Sequence, residues 1–430
     1  MPYASPQHVP CTADHHHTHP WKGTPVADAK KENARKFAGS VGLVTPLDQP
    51  AASPAPPADE EWQLPHGTAR VYYGDGRQGM VRPVVLADGF NMGPTDFDRL
   101  WEGLENGRFP FVSELRRRDR ALVLVGFDER SESILRNAET MTAAIQRTIA
   151  EQIGDAPLAV GGFSMGGIVA RYALAHMEAQ RMDHRTAVYV SFDSPHRGAW
   201  VPIGLQAFAH YLAQSGNDTY LRQISSPASQ QMLWRHLDAL DGTPQESRMR
   251  REFKEQLQRV GGWPRVPRLL GVASGRGDGT GNGVRAADKT LSCAGPLFDG
   301  THFLAQSQGE KAEVAVLNGL LGGPHTITTS GFPELDGAPG GTLESFGIIA
   351  DTLASFGERV DLVHRSVCFV PSVSAVAVRD LDQQDDLYAD IDALSPDQSE
   401  LDDFMLSTAN DPHSAMTREI AEWVFDRLPD

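Results

Sequence analysis

The pentapeptide Gly162-Phe163-Ser164-Met165-Gly166 sets one hydroxyl between two glycines. A serine alcohol becomes a useful nucleophile when a base takes its proton and the chain presents it to a carbonyl carbon. The flanking sequence supplies the presentation. Residues 158–162 (LAVGG) form a short apolar run of strand character, and residues 166–177 read as a helix. A serine between strand and helix sits in a sharp turn with its hydroxyl clear of the sheet, and small neighbours let that turn close. The helix start then points its positive end at a developing oxyanion. The predicted chemistry is acyl transfer through Ser164. The plainer reading is an ordinary strand–helix turn holding a buried serine.

Such a serine needs an imidazole from further along the chain. His413 fits, in the loop signature Asn410-Asp411-Pro412-His413 ahead of a closing helix with Ile420, Trp423, Val424 and Leu428 on one stripe. A solvated loop residue is the competing reading, and His302, His325 and His364 are the other downstream candidates. His196 reads as turn packing. For the acid, Asp193 ends the run at 186–192, at the carboxyl edge where functional groups of an α/β sheet gather. Asp278 is the alternative, after the run at 268–273, and the acidic segment 380–386 is a third source. Two backbone donors are expected for the oxyanion. Met165 N–H follows the serine directly, and Phe90 N–H lies in the loop Asp88-Gly89-Phe90-Asn91-Met92-Gly93, where Gly89 lets the chain turn close.

The elements that must position these groups are apolar runs at 81–87, 121–126, 158–162, 186–192, 268–273 and 366–370, separated by helical stretches. Near-continuous apolar strands alternating with helices predict an α/β fold, a parallel sheet covered on both faces. Residues 198–264 interrupt the rhythm with mostly helical sequence, placing Leu205, Phe208 and Leu212 on one stripe. This segment is expected to be a lid whose stripe borders an acyl pocket. Residues 279–341 form a Gly-rich insertion with short strands. Residues 1–68 read as a Pro/Ala-rich arm, including the cluster His15, His16, His17 and His19, a solvated tail in preference to a metal site because no rigid element fixes the ligands.

Composition bounds the partners. Hydrophobic residues make up 40% of the 430, enough for a large core, and the formal charge is -17. An acidic chain has no long-range attraction for nucleic acid or anionic membranes, which leaves small neutral or cationic substrates. Cys11, Cys293 and Cys368 are too scattered for a disulfide framework. With no apolar leader in residues 1–20 and no run long enough to cross a bilayer, a cytoplasmic protein without stable membrane insertion is expected. No cofactor or metal is expected. A lone RGD tripeptide and one calcium-repeat-like loop at 275–283 lack supporting context.

The DGF loop, the GFSMGG elbow, the SPHRG segment and the late NDPH histidine together resemble lipases and esterases of the α/β-hydrolase superfamily, from about Val81 to the C-terminus. SFDSPHRGAWVPIG looks like the turn leading to the lid of bacterial triacylglycerol-lipase-like proteins. The resemblance implies an eight-stranded, mostly parallel sheet and a two-step acyl-enzyme mechanism. It matches Ser164, His413, Met165 and Phe90 to nucleophile, base and oxyanion positions. Most of the superfamily carries its acid one strand later than Asp193, as Asp278 would be, whereas a pancreatic-lipase-like minority carries it where Asp193 stands. The oxyanion loop departs from relatives that have a histidine before the glycine.

Overall fold

Seven of the strands that build the main sheet arise from short β-rich runs: β1 (Glu60–Leu64), β2 (Gly67–Tyr72), β3 (Val84–Ala87), β4 (Leu122–Phe127), β5 (Leu158–Phe163), β6 (Thr186–Phe192) and β7 (Arg268–Ala273). The computed structural model describes residues 54–430 except 215, 217, 320–322 and 356. The histidine cluster and Cys11 lie outside the described residues. Further on come β8 (Lys289–Ala294), β9 (His302–Leu304), β10 (Ala312–Leu317), β11 (His325–Thr329), β12 (Gly340–Leu343), β13 (Arg359–Leu362), β14 (Val367–Pro371) and β15 (Asp403–Leu406).

The main sheet runs β1-β2-β4-β3-β5-β6-β7-β15. From β4 to β15 every neighbouring pair is parallel, and the hairpin β1–β2 joins β4 antiparallel at one edge. Its central strands are buried on both faces, so they read as unbroken apolar runs, and alternate residues serve opposite layers. Val85, Val123 and Val160 pack with the helices Ile134–Glu151 and Met165–Ala179. Leu86, Leu124 and Ala159 pack on the other face with Trp101, Leu115 and the C-terminal residues Ile420 and Val424. This α/β-hydrolase-like layering leaves the carboxyl ends of β3, β5, β6 and β7 as one open rim.

Three sequence expectations change. The arm was expected to run to residue 68, but the sheet already begins at Glu60, because Trp62 and the alternating residues of β2 bury themselves against β4 and the adjoining helix. The run at 366–370 was expected in the parallel sheet. Instead β14 pairs antiparallel with β12, where Gly340 permits an approach that a methyl would block, 2.4 Å from Val370 O. The strand beside β7 is β15, a half-buried DFML segment with little apolar signature. Finally, the stripe Leu205, Phe208 and Leu212 is fully buried. Phe208 meets Phe298 and Phe303 at 5.5 and 5.6 Å, so the stripe covers a second sheet and does not border an open pocket. That sheet, β11-β10-β9-β8-β13, is antiparallel throughout and is what the Gly-rich insertion builds with β13.

Asp336 ties this second unit to the segment after β6. It is 1% exposed and accepts from the Trp200 indole at 2.7 Å and the Gln306 N–H at 2.6 Å. Burial pushes its carboxyl up to about 6 from 3.8. A raised folded value means the contribution is present below about 3.8 and is lost as pH rises through about 6. Asp336→Asn removes this titration. Its stability relative to wild type is therefore expected to shift in the variant's favour as pH rises from about 3.8 to about 6, by at most about 3 kcal/mol, and to stay level above that. A gap independent of pH counts against the buried acid.

Candidate active site

Ser164 leaves β5 in a left-handed turn, φ 52 and ψ -119, before the helix Met165–Ala179 starts. A non-glycine residue in this region costs about 1–3 kcal/mol, which the surrounding packing must offset. The glycines make the turn possible. A methyl on Gly162 would sit 2.4 Å from the Gly166 carbonyl carbon, and one on Gly166 would sit 2.3 Å from Ala87 O. The same closeness brings the loop after β3 onto the turn, with a methyl on Gly89 reaching to 3.5 Å from Ser164 Cβ. Ser164 is 8% exposed, and its N–H donates to Phe192 O at 2.8 Å, fixing the turn against the end of β6.

The next residue on β6 is Asp193, itself at φ 51 and 1% exposed. Its Oδ2 accepts from His413 Nδ1 at 2.7 Å and from Ser414 N–H at 3.3 Å, and its Oδ1 accepts from Ser274 N–H at 3.0 Å. With Nδ1–H directed at a carboxylate, an assignment made from the hydrogen-bond network, Nε2 is the ring nitrogen without a proton, and the Ser414 hydroxyl approaches it at 3.5 Å. Phe369 stands edge-on to the imidazole at 4.9 Å and limits its rotation. The loop carrying His413 is pinned along its length. Asn410 Oδ1 accepts from Arg276 and Gly340 N–H, Asp411 N–H donates to Ser274 O at 2.8 Å, and His413 N–H donates to Thr342 O at 2.8 Å.

Thus Asp193 and His413 meet at the end of β6, and the Ser164 backbone is fixed to the residue before Asp193, whereas Asp278 stands apart. Asp278 is ion-paired with Arg276, and that guanidinium together with Thr280 N–H holds its carboxyl well below the usual range. Of the remaining candidates, His302 pairs with Glu313 and His364 with Asp288, while His325 lies edge-on to Tyr211. Asp380 and Asp382 face Arg197 and Arg235. Among the described residues no group of three or more His, Cys, Asp or Glu could hold a metal ion.

Met165 follows the serine in the chain, and Phe90 follows Gly89 in the loop that approaches the turn. Around Phe90, the N–H groups of Asp88, Gly89, Met92 and Gly93 are bonded to Val125 O, Asp88 Oδ1, Asn91 Oδ1 and Glu129 Oε1. Asp88 also accepts from the Thr95 hydroxyl at 2.8 Å, which stiffens the loop. Burial raises the Asp88 carboxyl, and Arg130, 3.6 Å away, opposes that rise. The helix start carries no side-chain cap, and Gly167 N–H turns back to Ser164 O at 3.2 Å.

Gly341 on β12 is a positioning residue that the motif search passed over. A methyl there would lie 2.0 Å from Asp193 Oδ2. Gly341→Ala is therefore expected to displace the carboxylate and lower kcat by about 100-fold, with folding retained by circular dichroism. Activity within a few-fold of wild type would count against this placement. Only its neighbourhood with Gly340 hinted at such crowding in the sequence.

The sheet order and the strand–turn–helix at Ser164 are those of an α/β-hydrolase-like fold. Comparison with known families gives one match, the thioesterase domain, over residues 110–258. That span contains Ser164 and Asp193 but neither Phe90 nor His413. Among solved structures the chain is similar to EstE1, a thermostable carboxylesterase cloned from a metagenomic library, at 14% identity over 57% of this chain and 76% of that one, with a TM-score of 0.30. It is similar to the Bacillus licheniformis lipase BlEst2 in its propeptide form at 14% identity, over 50% and 40% of the two chains, TM-score 0.30. An esterase of Pyrobaculum calidifontis is 13% identical over 47% and 66%, TM-score 0.26. At these values neither substrate nor site residue is carried across. Comparison with curated proteins finds no match.

Proposed function

We propose that the chain cleaves carboxylic esters of small molecules through an acyl-enzyme on Ser164. His413 Nε2 removes the serine proton as Oγ attacks the carbonyl, while Asp193 holds the imidazole in the required tautomer and stabilises its charged form. The N–H groups of Phe90 and Met165 take the oxyanion. His413 then protonates the leaving alcohol, and water repeats the sequence on the acyl-enzyme. The observation that carries this reading is the 2.7 Å contact between Asp193 and His413, one residue beyond the strand end that holds Ser164 N–H.

The catalytic unit in this reading is the chain from Glu60 onward, with 198–264 as a cap resting on the second sheet. Trp200 N–H donates to Phe369 O, so the cap begins beside the residue that borders His413. The cap then governs which acyl groups enter. Among the described residues no helix is long and apolar enough to cross a membrane, and the substrate is taken to be a small molecule in the aqueous phase.

The thioesterase-domain match favours a second reading in which the scissile bond is a thioester. Matched oxyester and thioester substrates with acyl chains of increasing length decide between them. The ester reading expects turnover of p-nitrophenyl acyl esters at least equal to that of the thioesters. Turnover confined to thioesters supports the second, and turnover of neither defeats both.

A further inference from the structure

A cavity of about 520 Å³ lies away from Ser164, between the helix Met165–Ala179, the helix Arg248–Arg259 and the loop that follows it. Within a chain of net charge -17 its lining carries five cations, Arg171, Arg197, Arg250, Lys254 and Arg265. Two carboxylates reach it, Asp380 and Glu400, and both face Arg197, at 4.0 and 3.0 Å. Arg250 and Lys254 share Glu246 at 3.5 and 2.9 Å. Arg171 and Arg265 have no carboxylate within 4.0 Å among the described residues.

Arg171 is the unusual member. It is 6% exposed, and its guanidinium lies over the Trp263 ring at 3.3 Å. Its Nε donates to Gly262 O at 2.7 Å and its Nη1 approaches His196 Nδ1 at 3.4 Å. His196 does not supply a competing charge. Burial, with Arg171 and Arg197 nearby, holds its imidazole well below the usual range, and its other nitrogen meets Ser191 Oγ at 3.0 Å. Burying a guanidinium without an anion is costly, and proteins usually supply the counter-ion. Here Glu400 acts on Arg171 only from beyond 4.0 Å, and the cavity leaves room for an anion in direct contact.

We propose that this cavity binds a small oxyanion ligand, a phosphate or carboxylate group carried by a molecule, held between Arg171 and Arg265. The planar fork of Arg171 offers paired N–H donors suited to such a group. Arg265 is exposed at the mouth and adds a second cation, while Trp263 and Leu257 give the rest of the ligand an apolar wall. The volume falls within the range of small-molecule sites and exceeds that of a bare ion. The site is independent of the chemistry at Ser164.

Calorimetric titration of the full chain with pyrophosphate and with citrate, at fixed low ionic strength, tests this. Saturable one-to-one binding of at least one anion is expected, and which of the two saturates separates the phosphate from the carboxylate source. Arg265→Gln is expected to weaken it about tenfold and Arg171→Gln to remove it, with Ser164→Ala binding as wild type. Should Arg171→Gln fail to fold, the exposed Arg265→Gln decides alone. Lack of saturation by either anion up to about 10 mM, or unchanged binding in Arg265→Gln, overturns the proposal.

Discussion

Ser164→Ala is expected to lower kcat for any ester the wild type turns over by about a millionfold, leaving only the residual rate of binding and oxyanion stabilisation. The size of the effect follows from the role assigned to Oγ. The elbow glycines fix the turn that carries Ser164 at the start of the helix. Removing the hydroxyl leaves the backbone turn intact, since the bond from residue 164 N–H to Phe192 O involves no side chain. Stability should therefore stay within about 1 kcal/mol of wild type. A kcat reduced less than tenfold, with the fold retained, would remove Ser164 from the chemistry.

The second large effect separates the two aspartates. Asp193→Asn is expected to reduce kcat by about ten-thousandfold while keeping side-chain volume. An amide facing His413 Nδ1 favours the tautomer with the proton on Nε2, which cannot accept the serine proton. Asp278→Asn is expected to leave kcat within about threefold, because its partner is the exposed Arg276 and such a surface pair adds little. Measuring both variants under one assay matters more than either alone. Equal losses, or a larger loss at 278, would contradict the geometry.

The elbow was legible in the sequence because its requirements are local. A buried strand, a serine flanked by glycines and a helix start all fall within residues 158–177. The loop placement of His413 was legible for a similar reason, since a loop-forming NDPH ahead of an amphipathic closing helix reads directly from spacing. Which aspartate meets it was legible only as a narrow preference for Asp193. Asp193 and Asp278 both follow strands, and what separates them comes from far along the chain. Ser274 N–H holds one oxygen of Asp193, Ser414 N–H supports the other, and Gly341 makes room for the carboxylate. The left-handed backbone at Asp193, φ 51, has no sequence signature for an aspartate in this setting.

Strand assignment shows the same division. Central strands announce themselves through burial on two faces, as LVLVGF does in β4. Edge strands do not. β15 is half-buried and carries an aspartate at its start, so it reads as loop, whereas β14 is as apolar as any central strand yet belongs to another pairing. Periodicity reports burial, and it cannot report which neighbour provides it. The stripe on the helix Ile203–Ala213 was expected to border an acyl pocket, but a sheet assembled from residues about a hundred positions later buries it.

The most direct test is covalent trapping of the serine. Wild-type protein treated with a fluorophosphonate and then digested should carry a single adduct, on the peptide containing Ser164, and Ser164→Ala should carry none. An adduct on a different residue, or none on a folded wild type, would contradict an activated hydroxyl at that position.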